Sequence, residues 1–422
     1  MPNAGRKAVA VRRTSSSWCP WCAAAACAAL VGCGFGSSRS TGNPGEPDGG
    51  GVVPPDAAVD AAIDGSGGGP GGGPGGGPQT FCVGPTDRSI CLDAAPTGSV
   101  ELGTAIDTDK SDADNPCLAH QPASWTAAFG PDACFVVGDT VHVATLVATG
   151  SRPLVIVAQH QITVATLLSV ASQRIAGDTG AGANPSDCKP FSRDPSQQST
   201  GGGGGAGGSF MVTGGDGGPG NSTNNLGGLA AAADAHAPTR LRGGCAGQKG
   251  GRGVGNDGGA GGGAVYLISA GGIDLQGKID ASGAGGKGAG VGIGGGGGGS
   301  GGMILLFGTT VTAGSSAVLL ANGGGGGGGG AAVTSTTTNP IGEDGNDPGS
   351  ATAVATGGHG GIVISQNGGN GGNGAALQTA PTHGDNCDTG AGGGGGGGGT
   401  GYIRSNHSLD GATVSPAADV VP

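Results

Sequence analysis

Two Asp-Thr-Gly triplets, Asp178-Thr179-Gly180 and Asp388-Thr389-Gly390, stand in this chain of 422 residues. Paired triplets of this kind can bring two carboxylates together to share one proton and activate water, the chemistry of aspartic proteases. That arrangement needs each Asp at the end of an apolar strand. Here the preceding residues are Gly177 and Cys387, and glycine-rich sequence follows both triplets. Both read as turns, where Asp and Gly are favoured. Gly298-Gly299-Ser300-Gly301-Gly302 matches Gly-x-Ser-x-Gly, but a nucleophile elbow lies between a strand and a helix. This serine follows polyglycine and precedes the apolar run Met303 to Phe307. Gly-x-Gly-x-x-Gly recurs for the same compositional reason with no helix behind any copy, so nucleotide binding has no support.

The densest acidic cluster is "DTDKSDADN", with Asp107, Asp109, Asp112 and Asp114 as candidate calcium ligands. An EF-hand loop starting at Asp107 requires Gly at its sixth position and Glu at its twelfth. The chain has Asp112 and Leu118 there, and a solvated loop is the plainer reading. Cys117-Leu-Ala-His120 lacks the second Cys/His pair that zinc needs. No catalytic set emerges, and no cofactor is expected.

The elements around these residues explain more than the residues do. Residues 1 to 13 carry Arg6, Lys7, Arg12 and Arg13 with no acid, and residues 23 to 32 are all small or apolar. A basic n-region followed by a short apolar h-region is the layout of a secretory signal. The run is too short to span a membrane, which takes about 18 or more apolar residues. It ends in Leu30-Val31-Gly32-Cys33, which resembles the lipobox of bacterial lipoproteins. That resemblance implies a signal over residues 1–32, cleavage before Cys33 and a lipid on Cys33. Cys19 and Cys22 form a Cys-x-x-Cys inside the segment to be discarded, without the folded setting that lowers a redox thiol's pKa.

Residues 33–80 are rich in Gly and Pro and almost free of bulky apolar side chains, so they read as a disordered tether. Seven cysteines remain after Cys33. In an exported protein they should be oxidised. Neighbours in sequence give Cys82 with Cys91 and Cys117 with Cys134, within an N-terminal cap over residues 81–135. Cys188 and Cys245 flank a glycine-rich stretch and would staple its base, leaving Cys387 free. The net charge is −11 and no basic stripe follows the N-terminus, which argues against nucleic acid as a partner.

Glycine accounts for 105 residues, while Phe, Trp and Tyr number 7, 3 and 2. An ordinary aromatic-filled core is not expected, and collagen is excluded, because a strict Gly every third residue is broken in "GGSFMVTGGDGG". Three segments align: "RPLVIVAQHQITVATLLSVAS" from Arg152, "GAVYLISAGGIDLQGKIDASG" from Gly263 and "GMILLFGTTVTAGSSAVLLANG" from Gly302. Ile162, Ile273 and Val311 fall at equivalent positions, and Ser172, Gly283 and Asn322 end the units. A partial copy starts at Asp139 and a weaker one at Gly401. Short β-branched strands repeated between corners predict an all-β chain, a β-solenoid of the parallel β-helix kind over residues 136–416. Glycine-rich inserts fall at about 201–263, 284–302, 323–350 and 366–400. They either pack as hydrogen-bonded glycine layers or stay mobile; composition leaves both open.

The block from Cys134 to Val164, followed by glycine tracts alternating with apolar turns, resembles the glycine-rich exported β-helix lipoproteins of Gram-negative bacteria, with a PE-PGRS-like composition. The resemblance implies an outer-membrane-anchored protein facing the cell surface, held by its N-terminal lipid, and brings no functional residues. The expected function is a non-catalytic structural or adhesive module. The alternative is a protein that binds or degrades polysaccharide, with polysaccharide or cell-surface matrix as partner. Carboxylates for such an activity are few in the best-formed turn, where Asp274, Lys278 and Asp280 are the charges.

Overall fold

The computed structural model describes residues 80–85, 89–110, 115–125, 130–333 and 339–421. The expected signal and all but the last residue of the expected tether lie outside these, as do Cys33, Asp112 and Asp114. Regular structure in the described residues is entirely β, with no helix. The strands are β1 (Phe81–Val83), β2 (Ile90–Leu92), β3 (Ser99–Leu102), β4 (Ala105–Asp107), β5 (Cys134–Thr149), β6 (Leu154–Ser169), β7 (Ala264–Ser269), β8 (Gly272–Leu275), β9 (Lys278–Asp280), β10 (Met303–Phe307), β11 (Thr310–Ala313), β12 (Val318–Leu320), β13 (Tyr402–Ser405), β14 (Thr413–Ser415) and β15 (Asp419–Val420).

β1 and β2 make a small antiparallel hairpin, and the other strands form one curled parallel sheet, a half-barrel. It is built of layers. The first is β3 and β4, the second β5, the third β6; β7–β8–β9, β10–β11–β12 and β13 with β14 follow. Register is strict from layer to layer: Ile162 pairs with Ile273, and Ile273 with Val311. The bends have a local cause. β5 and β6 slip register between Gly138 and Thr140 and again between Val143 and Thr145, so the long strands turn two corners without ending. In the next layer those corners are the breaks on either side of β8. Gly271 and Gly277 sit there, where a Cβ would overlap the carbonyl oxygens of His160 and Thr166 in the layer beneath.

Strand alternation sends Val141, Ile162, Ile273 and Val311 into one apolar core inside the curl, with Leu146, Leu168, Ile279 and Leu319 beyond the second corner. Side chains of this size contribute about 1.5–3 kcal/mol each when fully buried. β7 and β10 are also covered on their other face, where Tyr266, Ile268, Met303 and Leu305 pack with Trp125, Phe135, Phe210 and Leu241. A strand buried on both faces reads as a continuous apolar run, which "AVYLIS" and "MILLF" do.

Between the layers the chain leaves the sheet, and there the glycine tracts pack as hydrogen-bonded layers. The segment 292–302 lies at a centre. Gly294, Gly297 and Ser300 donate to the carbonyls of Gly251, Gln248 and Cys245; Gly295, Gly298 and Gly301 donate to Gly393, Gly396 and Gly399; Gly296, Gly299 and Gly302 donate to Lys287, Ala284 and Ala281. Its carbonyls accept in the same rotation, from Gly202, Gly205 and Gly208, from Gly259 and Gly262, and from Gly327 and Gly324. Bonds to one neighbour recurring at every third residue define an extended helix of three residues per turn, the polyproline-II type. Six neighbours therefore surround the segment, some parallel and some antiparallel. Segments 323–331 and 392–399 are enclosed in the same way. None of Gly294 to Gly302 lies in the left-handed φ region. What the position requires is absence of a side chain: a Cβ on Gly294, Gly297 or Gly298 would overlap the carbonyl oxygen of Gly203, Ala206 or Gly324.

At the bundle's edge, side chains replace missing neighbours. Asn373, Asn370 and Asn367 accept from the amides of Gly357, Gly360 and Val363, each at 3.0 Å. Asp347 and Asp344 accept from Gly285 and Gly288 at 2.8 and 2.7 Å. Residues 351–365, which fall between two of the expected inserts, contain no strand. They belong to the same excursion from the sheet as their flanks, joined by the bonds from Gly358 and Gly361 to Gly326 and Gly329.

Candidate functional site

The glycine segments run directly into strands: Gly302 into β10, Gly263 into β7 and Gly401 into β13. One end of the bundle is thus the sheet. The other is a set of turns at a common level, as the bonds Gly202 to Gly292, Gly292 to Ala331, Gly392 to Gly330 and Gly369 to Gly392 require. These tip loops are residues 198–201, 221–226, 251–255, 289–293, 331–333 with 339–341, 361–367 and 388–391. With a rise of about 3.1 Å per residue, the ten steps from Gly292 to Gly302 place the tips roughly 30 Å from the sheet.

Reversing direction within so few residues forces unusual backbone. Asn221, Ser222, Arg252 and Ser365 have φ of 48°, 63°, 60° and 61°. Such conformations persist only where surrounding bonds hold them. Asn256, fully buried, donates from Nδ2 to the carbonyls of Gly250 and Gly294 at 2.7 and 3.0 Å. Arg252 donates to the Gly292 carbonyl at 3.1 Å. Asp388 accepts from the Asn367 amide at 2.7 Å, and Asn221 accepts from Gly390 at 2.9 Å. The half-buried Cys387 thiol donates to the Ala391 carbonyl at 2.9 Å, and burial pushes its pKa up.

The tips present apolar side chains to solvent. Leu226, Val254, Val333, Ile341, Ile362 and Ile364 are exposed, Val254 by 85% and Ile364 by 88%. The flanks of the bundle carry mainly Asp, Asn, Lys and Thr on their outward positions, with Ile175, 85% exposed, among them, and the tips also expose Thr200, Thr223, Asn224 and Ser365. Exposed apolar side chains gathered on one face mark an interaction site more often than a chance surface. Sequence reasoning missed them because "GIVIS" alternates like a strand and Val254 is a single residue among glycines.

The residues singled out for chemistry do not converge. Asp178 ends a turn in which its carbonyl accepts from Gln173, beside Asp257 and Lys287, whereas Asp388 belongs to a tip loop. Ser300 is fully buried in the central glycine segment, exchanging hydrogen bonds with the Cys245 backbone at 2.8 and 3.3 Å. Asp109 accepts from the Ser151 amide and hydroxyl. Asp107 is held below the usual carboxylate range by the Asp109 amide and by Lys110, 3.2 Å away. Both carboxylates are thus engaged by protein donors, and among the described residues no cluster of three His, Cys, Asp or Glu side chains is placed to hold a metal ion. Asp274 bonds Gln276 on the outer face of β8 at 2.7 Å, and buried Asp280 pairs with Lys278 at 2.7 Å.

Cys82–Cys91, Cys117–Cys134 and Cys188–Cys245 are disulfides. They fit an extracellular or otherwise oxidising environment. No helix among the described residues is long and apolar enough to cross a membrane. Comparison with known protein families, with curated proteins and with solved structures finds no match.

Proposed function

We propose that this chain is a non-catalytic adhesive module, carried on the outer membrane by a lipid on Cys33. On this reading the layered sheet is a β-solenoid that serves as a base, and the glycine bundle is a stiff strut. The observation that carries the proposal is the gathering of exposed apolar side chains on loops roughly 30 Å from the sheet. Thr80 directly precedes β1, whose hairpin packs on the sheet side with Trp125 and Phe135. Among the described residues, Trp125, Phe135, Phe210, Tyr266 and Tyr402 are buried in the core rather than set out as platforms for sugars.

Cells displaying the wild type should attach to an uncharged hydrophobic surface, and cells displaying a Val254→Ser, Ile362→Ser, Ile364→Ser variant at equal surface level should not. Equal attachment by the two would overturn the tip-adhesion reading. Anchoring is tested separately by labelled lipid, which should appear on the wild type and vanish in Cys33→Ala; persistence of the label would remove the lipid from the proposal.

A further inference from the structure

The three disulfides sit in different surroundings. Cys117 and Cys134 are both buried, and Cys82–Cys91 bridges a directly opposed pair in the β1–β2 hairpin. Cys188–Cys245 is asymmetric. Cys245 is buried in the glycine bundle, where its amide donates to the Ser300 hydroxyl at 2.8 Å and its carbonyl accepts from the Ser300 amide at 3.0 Å. Cys188 is half-buried, in a turn closed by the bond from its amide to the Pro185 carbonyl and flanked by exposed Asp187 and Lys189. Arg242, whose side chain is 11% exposed, lies against both sulfurs: Nη2 donates to Cys245 Sγ at 3.0 Å and stands 3.6 Å from Cys188 Sγ. The rest of the guanidinium is fixed. It lies over the Phe210 ring at 4.7 Å, and Nη1 pairs with Asp234 and Asp187 at 3.4 and 3.6 Å. Asp234 is itself shared with Lys189 at 2.9 Å.

We propose that Cys188–Cys245 is a thiol-exchange site, which takes a small thiol on Cys188 and releases Cys245 to Arg242. The proposal stands apart from the adhesive reading. The thiolate of the small thiol attacks Cys188 Sγ, on the less buried residue, and a new S–S bond forms there. The Cys188–Cys245 bond breaks, and its electron pair leaves on Cys245 Sγ as a thiolate facing Arg242 Nη2. The attacking sulfur is oxidised and the Cys245 sulfur reduced, so the exchange consumes no other oxidant or reductant. A cation beside a sulfur favours its thiolate, and a better-stabilised thiolate leaves faster. The bonds to Ser300 hold Cys245 in the bundle after cleavage, whereas Cys188 moves with its exposed turn. Cys245 thus stays in place to attack the mixed disulfide and eject the thiol when the ambient thiol is withdrawn. The result is a reversible covalent label on one side of the bundle.

Glutathione is the probe. Full-length chain, its free thiols first blocked with iodoacetamide, is incubated with glutathione at neutral pH and quenched in acid; new thiols are then labelled with maleimide and mapped by mass spectrometry. Glutathione should be found on Cys188 and maleimide on Cys245. The opening rate should fall about threefold or more in Arg242→Gln, and less in Arg242→Lys, which keeps a cation. Removing the contacts of Arg242 loosens the fold, and loosening alone speeds exchange, so the expected slowing runs opposite to destabilisation. Opening of Cys82–Cys91 in the same samples is the reference and should not change among the variants. Glutathione on Cys245, or a Cys188–Cys245 bond that stays closed in the wild type, would overturn the inference whatever the variants do. Exchange in Arg242→Gln as fast as in the wild type, or faster, would overturn it as well.

Discussion

The curled sheet and the glycine bundle use the same backbone hydrogen bond in opposite ways. In the sheet, neighbours on two sides leave two faces free, and side chains such as Ile162, Ile273 and Val311 fill one of them. In the bundle, the segment 292–302 has neighbours all round, and the only side chains it carries are those of Ile293 at the tip and Ser300, whose small hydroxyl bonds the Cys245 backbone. Stability in the first comes from apolar volume. In the second it comes from excluding volume, so that amides and carbonyls can reach one another. Two chemically distinct cores are thus joined end to end by continuous strands.

The sharpest break of this comparison is a single added methyl. Gly297→Ala places a Cβ onto the Ala206 carbonyl and should cost at least about 3 kcal/mol, at the top of the range for overpacking or beyond it. Gly349→Ala meets nothing within 4 Å and should range from no change to a gain of about 1 kcal/mol. Thermal unfolding midpoints of the pair test the distinction, and equal effects would dissolve it. The sheet should respond to removed volume instead. Ile304, fully buried, should lose about 2–5 kcal/mol as Ile304→Ala and about 1 kcal/mol as Ile304→Val, read from urea titrations.

At the bundle's edge a smaller loss is expected. Asn370→Ala removes the acceptor of the Gly360 amide and should cost about 1 kcal/mol, with faster hydrogen exchange at Gly360 as its local signature. Smallest is the pH response of Cys387. Burial raises its folded pKa above the ordinary value of 9.0, so the protonated thiol favours the folded state. That contribution is complete below the unfolded pKa and is lost as pH rises through the folded one. The unfolding midpoint of the wild type should accordingly fall faster above pH 9 than that of Cys387→Ser, and alkylation of the native thiol should lag behind that of a free thiol.

The layers of the sheet were legible because β-branched strands repeat with a period the backbone must keep. The alignment of Ile162, Ile273 and Val311 is the observed register. The bundle was not legible as a structure, although its sign is present. In "QNGGNGGNG" the asparagines fall at 367, 370 and 373, and in "GGDGGPG" Asp216 and Pro219 are again three apart. A search for collagen looks for one obligatory glycine in three. An edge segment of this bundle needs two in three and a central one needs glycine at nearly every position, with Ser300 the exception inside 294–302, so the threefold period disappears where the packing is most complete. The tips were hidden for another reason: the level at which separate turns meet is set by hydrogen bonds between segments far apart in sequence, as between Gly202 and Gly292.

The mixture of parallel and antiparallel neighbours around 292–302 bears on how such a molecule changes over generations. A sheet layer accepts a newcomer only in one direction and one register, but a threefold glycine helix accepts either direction. Duplicating one out-and-back pair of segments widens the bundle without disturbing its older members. Lengthening every segment by one turn of three residues raises the tips by about 9 Å. Reach and girth are thus separately adjustable in a lineage, each in small heritable steps, while the layered base keeps its shape.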